Sequence, residues 1–158
     1  MNPWLRRLLL VLTIGGSFTG MAITLQAGLV AQDRRIMLSL MYGGFIALYG
    51  YGIFAGLRFA EKEADQKHLI IFYWLQVPWI SSPIIGYRFA AGFHLSGGLM
   101  GNQFSGLFRF GSDWQFNFLQ PAPWGLGLNA FALIVALLLT IKRHAPPTPP
   151  PHLPVNGA

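Results

Sequence analysis

The residues best suited to chemistry in this 158-residue chain are Arg88, His94, Arg109 and Asp113. Together they offer a base, an acid and two guanidinium groups of the kind that bind phosphate, which is enough for an enzyme that modifies lipid at a membrane surface. No known catalytic spacing links them, and anchoring at the membrane interface is the simpler role for Arg88. A lipid-modifying membrane enzyme therefore ranks third among three hypotheses.

A second group of polar residues interrupts the third apolar run of the chain. It comprises Gln76, Pro78, Ser81, Ser82 and Pro83, joined by Asn129 of the fourth run. Each proline removes a backbone N–H and would kink or split a helix, and the serine hydroxyls could satisfy the carbonyl groups that are freed. Interrupted helices line substrate sites in transporters, although a proline kink is also a common way to shape a helix. A transporter or channel for a small or lipid-like molecule is therefore the alternative function.

Known catalytic and cofactor motifs are missing from the sequence. It contains no HExxH, GxSxG, P-loop or dinucleotide-binding pattern and no cysteine. The histidines are too scattered for three of them to meet at one metal ion. The net charge is +6, but Lys and Arg lie mostly at the ends of apolar runs, which argues against a nucleic-acid interface. We therefore predict a non-enzyme with no cofactor, no metal and no nucleic-acid partner.

The elements that position these residues are predicted to be membrane helices. Only 10% of the residues are charged, against roughly a quarter in a soluble domain. Four long apolar runs predict transmembrane helices at about 8–30, 36–60, 69–93 and 123–141. The first run is too long for the apolar part of a signal peptide, so we expect it to be retained. The expected fold is an all-α integral membrane protein, an up-down bundle of four helices whose third helix is proline-kinked, followed by a disordered proline-rich tail at 145–158.

The segment between the third and fourth runs is the one long stretch that does not resemble a helix. From Gly106 to Leu119, aromatic residues alternate with mostly polar ones, a pattern typical of β-strands. Turn-forming residues fall at 111–113, in the middle of this pattern. We therefore expect a β-hairpin-like outer loop in which aromatic residues such as Phe110 and Trp114 stack across the two strands.

Charge and glycine placement predict how the helices are arranged. In a four-span topology more Lys and Arg residues share the side of both termini than lie on the opposite side, so both termini are expected in the cytoplasm, with the protein in the plasma (inner) membrane. Two small-xxx-small patterns, Gly16 to Gly20 and Gly52 to Gly56, allow helix backbones to approach closely. They could form an interface with a membrane-protein partner or a second copy, or they could pack within one subunit.

The leading hypothesis is a small, non-enzymatic, multi-pass membrane protein that acts through contacts, as an interaction or accessory subunit of a membrane assembly. It is supported by the amphipathic outer segment, the glycine-rich helix faces and the lack of a catalytic motif. The lipid bilayer is its environment, and the aromatic outer loop would meet a partner or the headgroup layer.

Overall fold

The computed structural model describes residues 2–31 and 36–144. In this part of the chain there are four helices and six strands. Pro3–Leu10, the π-helical segment Val11–Gly15 and Gly16–Val30 run on as one helix, α1, and the others are α2 (Ile36–Glu61), α3 (Lys67–Leu75) and α4 (Ala130–His144). The predicted polar turn at 32–35 and the predicted tail at 145–158 lie outside the described residues.

Helices α1 and α2 are the two long apolar helices of the described chain. They have 28 and 26 residues and are long and apolar enough to cross a bilayer. Only 33% and 17% of the most apolar 18-residue stretch of each helix is buried inside the protein, whereas a core helix of a soluble protein would be mostly buried. Helices α3 and α4, with 9 and 15 residues, fall short of the roughly 20 residues that a membrane span requires. The prediction of four spanning helices is therefore wrong, and two candidate spans remain.

Glycines bring α1 and α2 into close contact. A Cβ atom at Gly20 would overlap the ring of Tyr49, and one at Gly52 would overlap Ser17. A Cβ atom at Gly56 would likewise overlap side-chain atoms of α1. These glycine positions are therefore used for packing within the subunit, and a partner would have to contact other surfaces.

The prediction of an all-α bundle is wrong because residues 78–129 form a six-stranded antiparallel sheet that curls into a half-barrel. Its strands are β1 (Pro78–Ser81), β2 (Ile85–Ala90), β3 (Phe93–Met100), β4 (Gln103–Phe110), β5 (Asp113–Phe118) and β6 (Gly125–Asn129). They lie in the order β4-β3-β6-β1-β2-β5. The predicted third helix ends at Leu75 because Pro78 cannot donate a helical hydrogen bond, whereas proline is tolerated as the first residue of a strand. The predicted fourth helix begins only at Ala130, since β6 occupies the preceding residues.

Strands β2 to β5 are the two arms of one long bent hairpin. The β3–β4 ladder runs from the turn at 101–102 back to the partners Phe93 and Phe110. The β2–β5 ladder continues the same register, and the Gly111 N–H joins the two ladders by donating to the Gly92 carbonyl at 2.9 Å. Strands β1 and β6 pair with each other and fill the space between the two halves of the hairpin.

The hairpin bends where the sequence predicts its turn. Gly92 and Gly111 have φ values of 81° and 110°, which residues other than glycine rarely adopt. The bend places Phe110 and Trp114 on opposite edge strands of the sheet, and Trp114 pairs with Phe89 instead. The predicted stacking of Phe110 on Trp114 across a short hairpin is therefore wrong, because the residues between them form a bend and not a turn.

Side-chain alternation gives the half-barrel an apolar convex face and a polar concave face. The convex side chains that remain exposed are Ile80, Ile85, Leu95, Leu99, Phe104, Phe108, Phe110, Phe118, Leu126 and Leu128. The register places Ser81, Arg88, His94, Ser96, Ser105, Arg109, Asp113, Gln115 and Asn117 on the concave face. Trp79 crosses the centre of this face, over Gly98 and Gly127, where any side chain would overlap its ring. An apolar outside around a polar inside is the reverse of the arrangement in a soluble β-protein and resembles that of transmembrane β-barrels.

The bend of the hairpin rests on the middle of α1. A Cβ atom at Gly16 would overlap the backbone of Gly92, and one at Gly92 would overlap the carbonyl group of Leu12. The Ser112 hydroxyl donates a hydrogen bond to the Gly16 carbonyl and lies 3.4 Å from the Gly92 nitrogen. The backbones of helix and sheet are thus in direct contact, and this contact fixes the position of the sheet along α1.

We expect Gly16→Ala to destabilise the protein strongly, by about 1–3 kcal/mol or more, because backbone atoms on both sides cannot move aside for a methyl group. The matched control is Gly15→Ala, since no atom lies within 4 Å of a Cβ atom at Gly15. This control should be neutral or stabilising by up to about 1 kcal/mol, because alanine favours a helix over glycine. Thermal unfolding in detergent measures both variants, and equal midpoints for the two would contradict the contact.

Candidate functional site

The concave face has its most polar region at the base, next to the bend, and there the fold brings together Arg88, His94, Arg109 and Asp113. His94 and Arg109 are register partners on β3 and β4. Asp113, the first residue of β5, faces the same interior from the other side of the bend, and Arg88 lies on the neighbouring strand. The sequence singles out these four residues for their chemistry, although no spacing along the chain relates them. The bent hairpin brings them close together.

A shared carboxylate organises this cluster. Arg88 Nη2 lies 2.8 Å from Asp113 Oδ2, and Arg109 Nη1 lies 3.8 Å from Asp113 Oδ1. The side chains of Arg88 and Asp113 are 23% and 15% exposed, whereas that of Arg109 is 60% exposed. Because two guanidinium groups share one carboxylate, the group of three carries a net positive charge.

His94 lies against this charged group and is almost fully buried, at 1% exposure. Its Nε2 atom is 2.7 Å from the Ser96 hydroxyl, and within the described chain its Nδ1 atom has no hydrogen-bond partner. One nitrogen of the buried imidazole is therefore free to donate or accept a hydrogen bond.

Two buried amides hold the base together. Gln76 Oε1 accepts a hydrogen bond from the Ala91 N–H at 2.8 Å, which ties the end of α3 to the bend. Asn129 Oδ1 accepts from the Leu95 N–H at 3.4 Å and from the Ala132 N–H at 3.3 Å, so it caps the first turn of α4. Asn129 is buried, as expected for a polar residue that would be costly facing lipid.

The remaining predicted site residues lie elsewhere. Ser81 donates to the Pro123 carbonyl at 2.9 Å, and Ser82 donates to the Ile85 carbonyl at 2.8 Å. Pro83 follows them in the link between β1 and β2, at the opposite end of β2 from the bend, and Pro78 lies on the convex face. Trp114 is also on the convex face, where its ring stacks on that of Phe45 at 4.6 Å. The interrupted third helix that motivates a transport cavity is therefore a change from helix to strand.

Several inward-facing polar residues were missed as candidates. Ser96 contacts His94, and Gln115 and Asn117 continue the polar face along β5, next to Arg88 and Gly86. The signal that could have identified them is the alternation between Gly106 and Leu119, whose polar members point the same way as Arg109. That alternation indicates a shared face, but only the bend shows that the face is concave.

Comparisons with protein-family models, with curated proteins and with solved structures find no match for this chain. Among the described residues, no group of three or more His, Cys, Asp or Glu side chains could hold a metal ion. What the protein does is therefore inferred from its own geometry.

We expect the two arginines of the cluster to differ in their effect on stability. Arg88→Gln leaves the mostly buried carboxylate of Asp113 with Arg109, at 3.8 Å, as its ion-pair partner. This variant should destabilise the fold by about 1–3 kcal/mol. Arg109→Gln removes a mostly exposed partner and should cost no more than about 1 kcal/mol. Chemical or thermal unfolding in detergent measures both, with Arg58→Gln as a control outside the sheet. A larger loss for Arg109→Gln than for Arg88→Gln would show that the ion pairs are ranked wrongly.

Proposed function

We propose that this protein is a non-enzymatic accessory subunit of a membrane assembly, and that its half-barrel is completed by strands of a partner membrane protein. The observation that supports the proposal most directly is a sheet with two unpaired edges and an apolar outside.

The sheet lies beside one half of the two long helices. Its bend contacts α1 at Gly16, near the middle of the 28-residue helix. Strands β2 and β5 pack on α2 from its first turns to its middle, where Trp114 contacts Tyr42 and Phe89 contacts Tyr49, with ring centroids 5.5 and 4.9 Å apart. A strand of eight residues such as β3 covers about 26 Å, and half of the hydrocarbon core is about 15 Å thick. With α1 and α2 across the bilayer, the sheet extends from the middle of the membrane through one leaflet.

The convex face suits a hydrocarbon environment. Phe104, Phe110 and Leu126 are 77%, 72% and 68% exposed, and their neighbours on this face are apolar as well. A contiguous apolar surface of this extent is rare on soluble monomers. In a leaflet the same side chains face acyl chains at no cost.

The distribution of charge favours a cytoplasmic location for the other end of the molecule. The start of α1, the connector after α2 and the end of α4 meet there, since Arg6 Nη2 donates to the Ala60 carbonyl at 2.7 Å and Lys142 Nζ lies 3.2 Å from Glu63 Oε1. Among the described Lys and Arg residues, only Arg88 and Arg109 belong to the sheet. By the positive-inside rule the sheet then occupies the outer leaflet of the plasma membrane.

The two edges of the sheet expose unpaired backbone groups. The Gly101 N–H donates to the Trp124 carbonyl at 2.7 Å and therefore points away from β4. Because backbone groups alternate in direction along paired strands, the N–H and C=O groups of Phe104, Gly106 and Phe108 point away from β3. The Leu119 N–H donates to the Ile84 carbonyl at 2.9 Å and therefore points towards the β2 side. By the same alternation, the N–H and C=O groups of Phe116 and Phe118 point to the outer edge of β5. Within the described residues no further strand pairs with β4 or β5.

Open edges of this kind are costly in a membrane. Each unsatisfied backbone group in hydrocarbon costs several kcal/mol, which is why lipid-exposed sheet edges do not occur there. Strand addition from another chain satisfies such groups and is a common mode of recognition. A partner whose strands pair with β4 and β5 would therefore remove the largest energetic problem of this fold, and that is the function we assign to the edges.

The test is Gly106→Pro, with Gly106→Ala as the matched control. Proline removes the N–H that faces the open edge but no hydrogen bond to β3, so both variants should fold with similar unfolding midpoints. Alanine fits, because the nearest atom lies 3.7 Å from its Cβ position, and it keeps the N–H. We expect native mass spectrometry after mild extraction to show a complex for the parent protein and for Gly106→Ala, and its loss or strong depletion for Gly106→Pro.

Two results would contradict the accessory-subunit proposal. One is a parent protein that is a monomer without any bound chain under every mild extraction condition. The other is a complex that survives Gly106→Pro unchanged, because the partner would then bind away from the β4 edge. A complex built only of copies of this chain would retain strand completion but replace the partner protein with a second copy.

A further inference from the structure

We propose that the base of the concave face binds a phosphate group, held mainly by Arg109 and Arg88. This site is separate from the open edges, and the accessory-subunit proposal does not depend on it. The phosphate group could belong to a soluble molecule or to an anionic lipid headgroup drawn from the membrane surface into the polar concave face, since both present the same chemistry.

The first support is an uncompensated charge. Arg88 and Arg109 share the single carboxylate of Asp113, and His94 beside them is buried. Lys and Arg residues inside a membrane are expensive unless they pair with an anion or reach water. A bound anion would balance the positive charge that the cluster carries in excess.

The second support is a set of buried donors without partners. Within the described chain, Arg88 Nε and Asn129 Nδ2 are buried and make no hydrogen bond, and the buried acceptor Asp113 Oδ2 is held by its ion pair with Arg88. His94 Nδ1 is in the same condition, and it carries the ring proton when Nε2 accepts the hydrogen bond of the Ser96 hydroxyl. Buried polar groups are normally satisfied, and unsatisfied donors that line one concave face indicate a ligand rich in acceptors.

The third support is the chemistry of the guanidinium groups and their access. Arginine presents a fork of N–H donors that matches the oxygens of a phosphate group. Arg109 is 60% exposed, so it can take a ligand without a change in the fold. Gln115 and Asn117 extend the polar surface from this base along β5, away from the bend. A phosphate group would therefore meet polar side chains along its approach.

The experiment measures binding to the full-length protein in two arms. In the first, inorganic phosphate is titrated into the detergent-solubilised protein at constant ionic strength, with chloride as the control anion, and the unfolding midpoint is followed. In the second, nanodiscs of phosphatidylcholine with and without phosphatidylglycerol are compared by native mass spectrometry of the released protein. Saturation in the first arm supports a soluble phosphate ligand, and retention of phosphatidylglycerol in the second supports a lipid headgroup.

Arg109→Gln is the decisive variant, because it is expected to fold. It should weaken binding in the responding arm by about 10- to 100-fold, the range for losing a hydrogen bond to a charged group. Arg109→Lys should recover part of the affinity because it keeps the charge, and Arg58→Gln should bind like the parent protein. The proposal is overturned if neither arm shows saturable binding, as it would be if a carboxylate of a partner protein filled the site. It is equally overturned if Arg109→Gln binds as tightly as the parent protein.

Discussion

The structure depends on one backbone-to-backbone contact, between Gly16 of α1 and Gly92 at the bend of the long hairpin. The contact requires glycine on both sides, because each Cβ atom would overlap main-chain atoms of the other element. It fixes the height of the sheet along α1, and with it the level at which the polar base lies. The bend itself depends on positive φ at Gly92 and Gly111, so three glycines determine both the shape and the position of the half-barrel.

The bend explains why polarity is reversed in the sheet and why its edges are open. A long hairpin of alternating polar and apolar residues is amphipathic wherever it lies, and bending it around β1 and β6 encloses the polar side. The same bend leaves β4 and β5 as the two edges, joined to each other only at the base. The charged cluster of Arg88, Arg109 and Asp113 lies at that junction. Asp113 links the two edge strands there, because it lies on β5 and pairs with Arg109 of β4.

The sequence predicted the local features of this fold better than its global form. Apolar length correctly identified the two long helices, because a membrane span depends on composition alone. The third and fourth membrane helices were predicted wrongly because hydropathy cannot separate short strands from helices of similar apolar content. Pro78, where a helix kink was expected, begins a strand. The alternation from Gly106 to Leu119 correctly indicated strands, but the turn residues at 111–113 proved to be a bend, a distinction that depends on contacts with α1. The charged residues of the site were named from their chemistry, whereas their proximity follows only from the register of the bent hairpin.

A sheet that lies in one leaflet with its apolar face towards lipid should show alternating exposure to lipid and water along β4, and a nitroxide scan measures this. The chain has no cysteine, so spin labels can be attached one at a time to cysteines introduced from Phe104 to Phe108 in the protein reconstituted into a bilayer. Collision with oxygen, which concentrates in hydrocarbon, should be strong at Phe104 and Phe108, and collision with a water-soluble nickel chelate should be stronger at Ser105 and Leu107. Strong nickel collision at every position would show that the sheet lies in water and not in a leaflet.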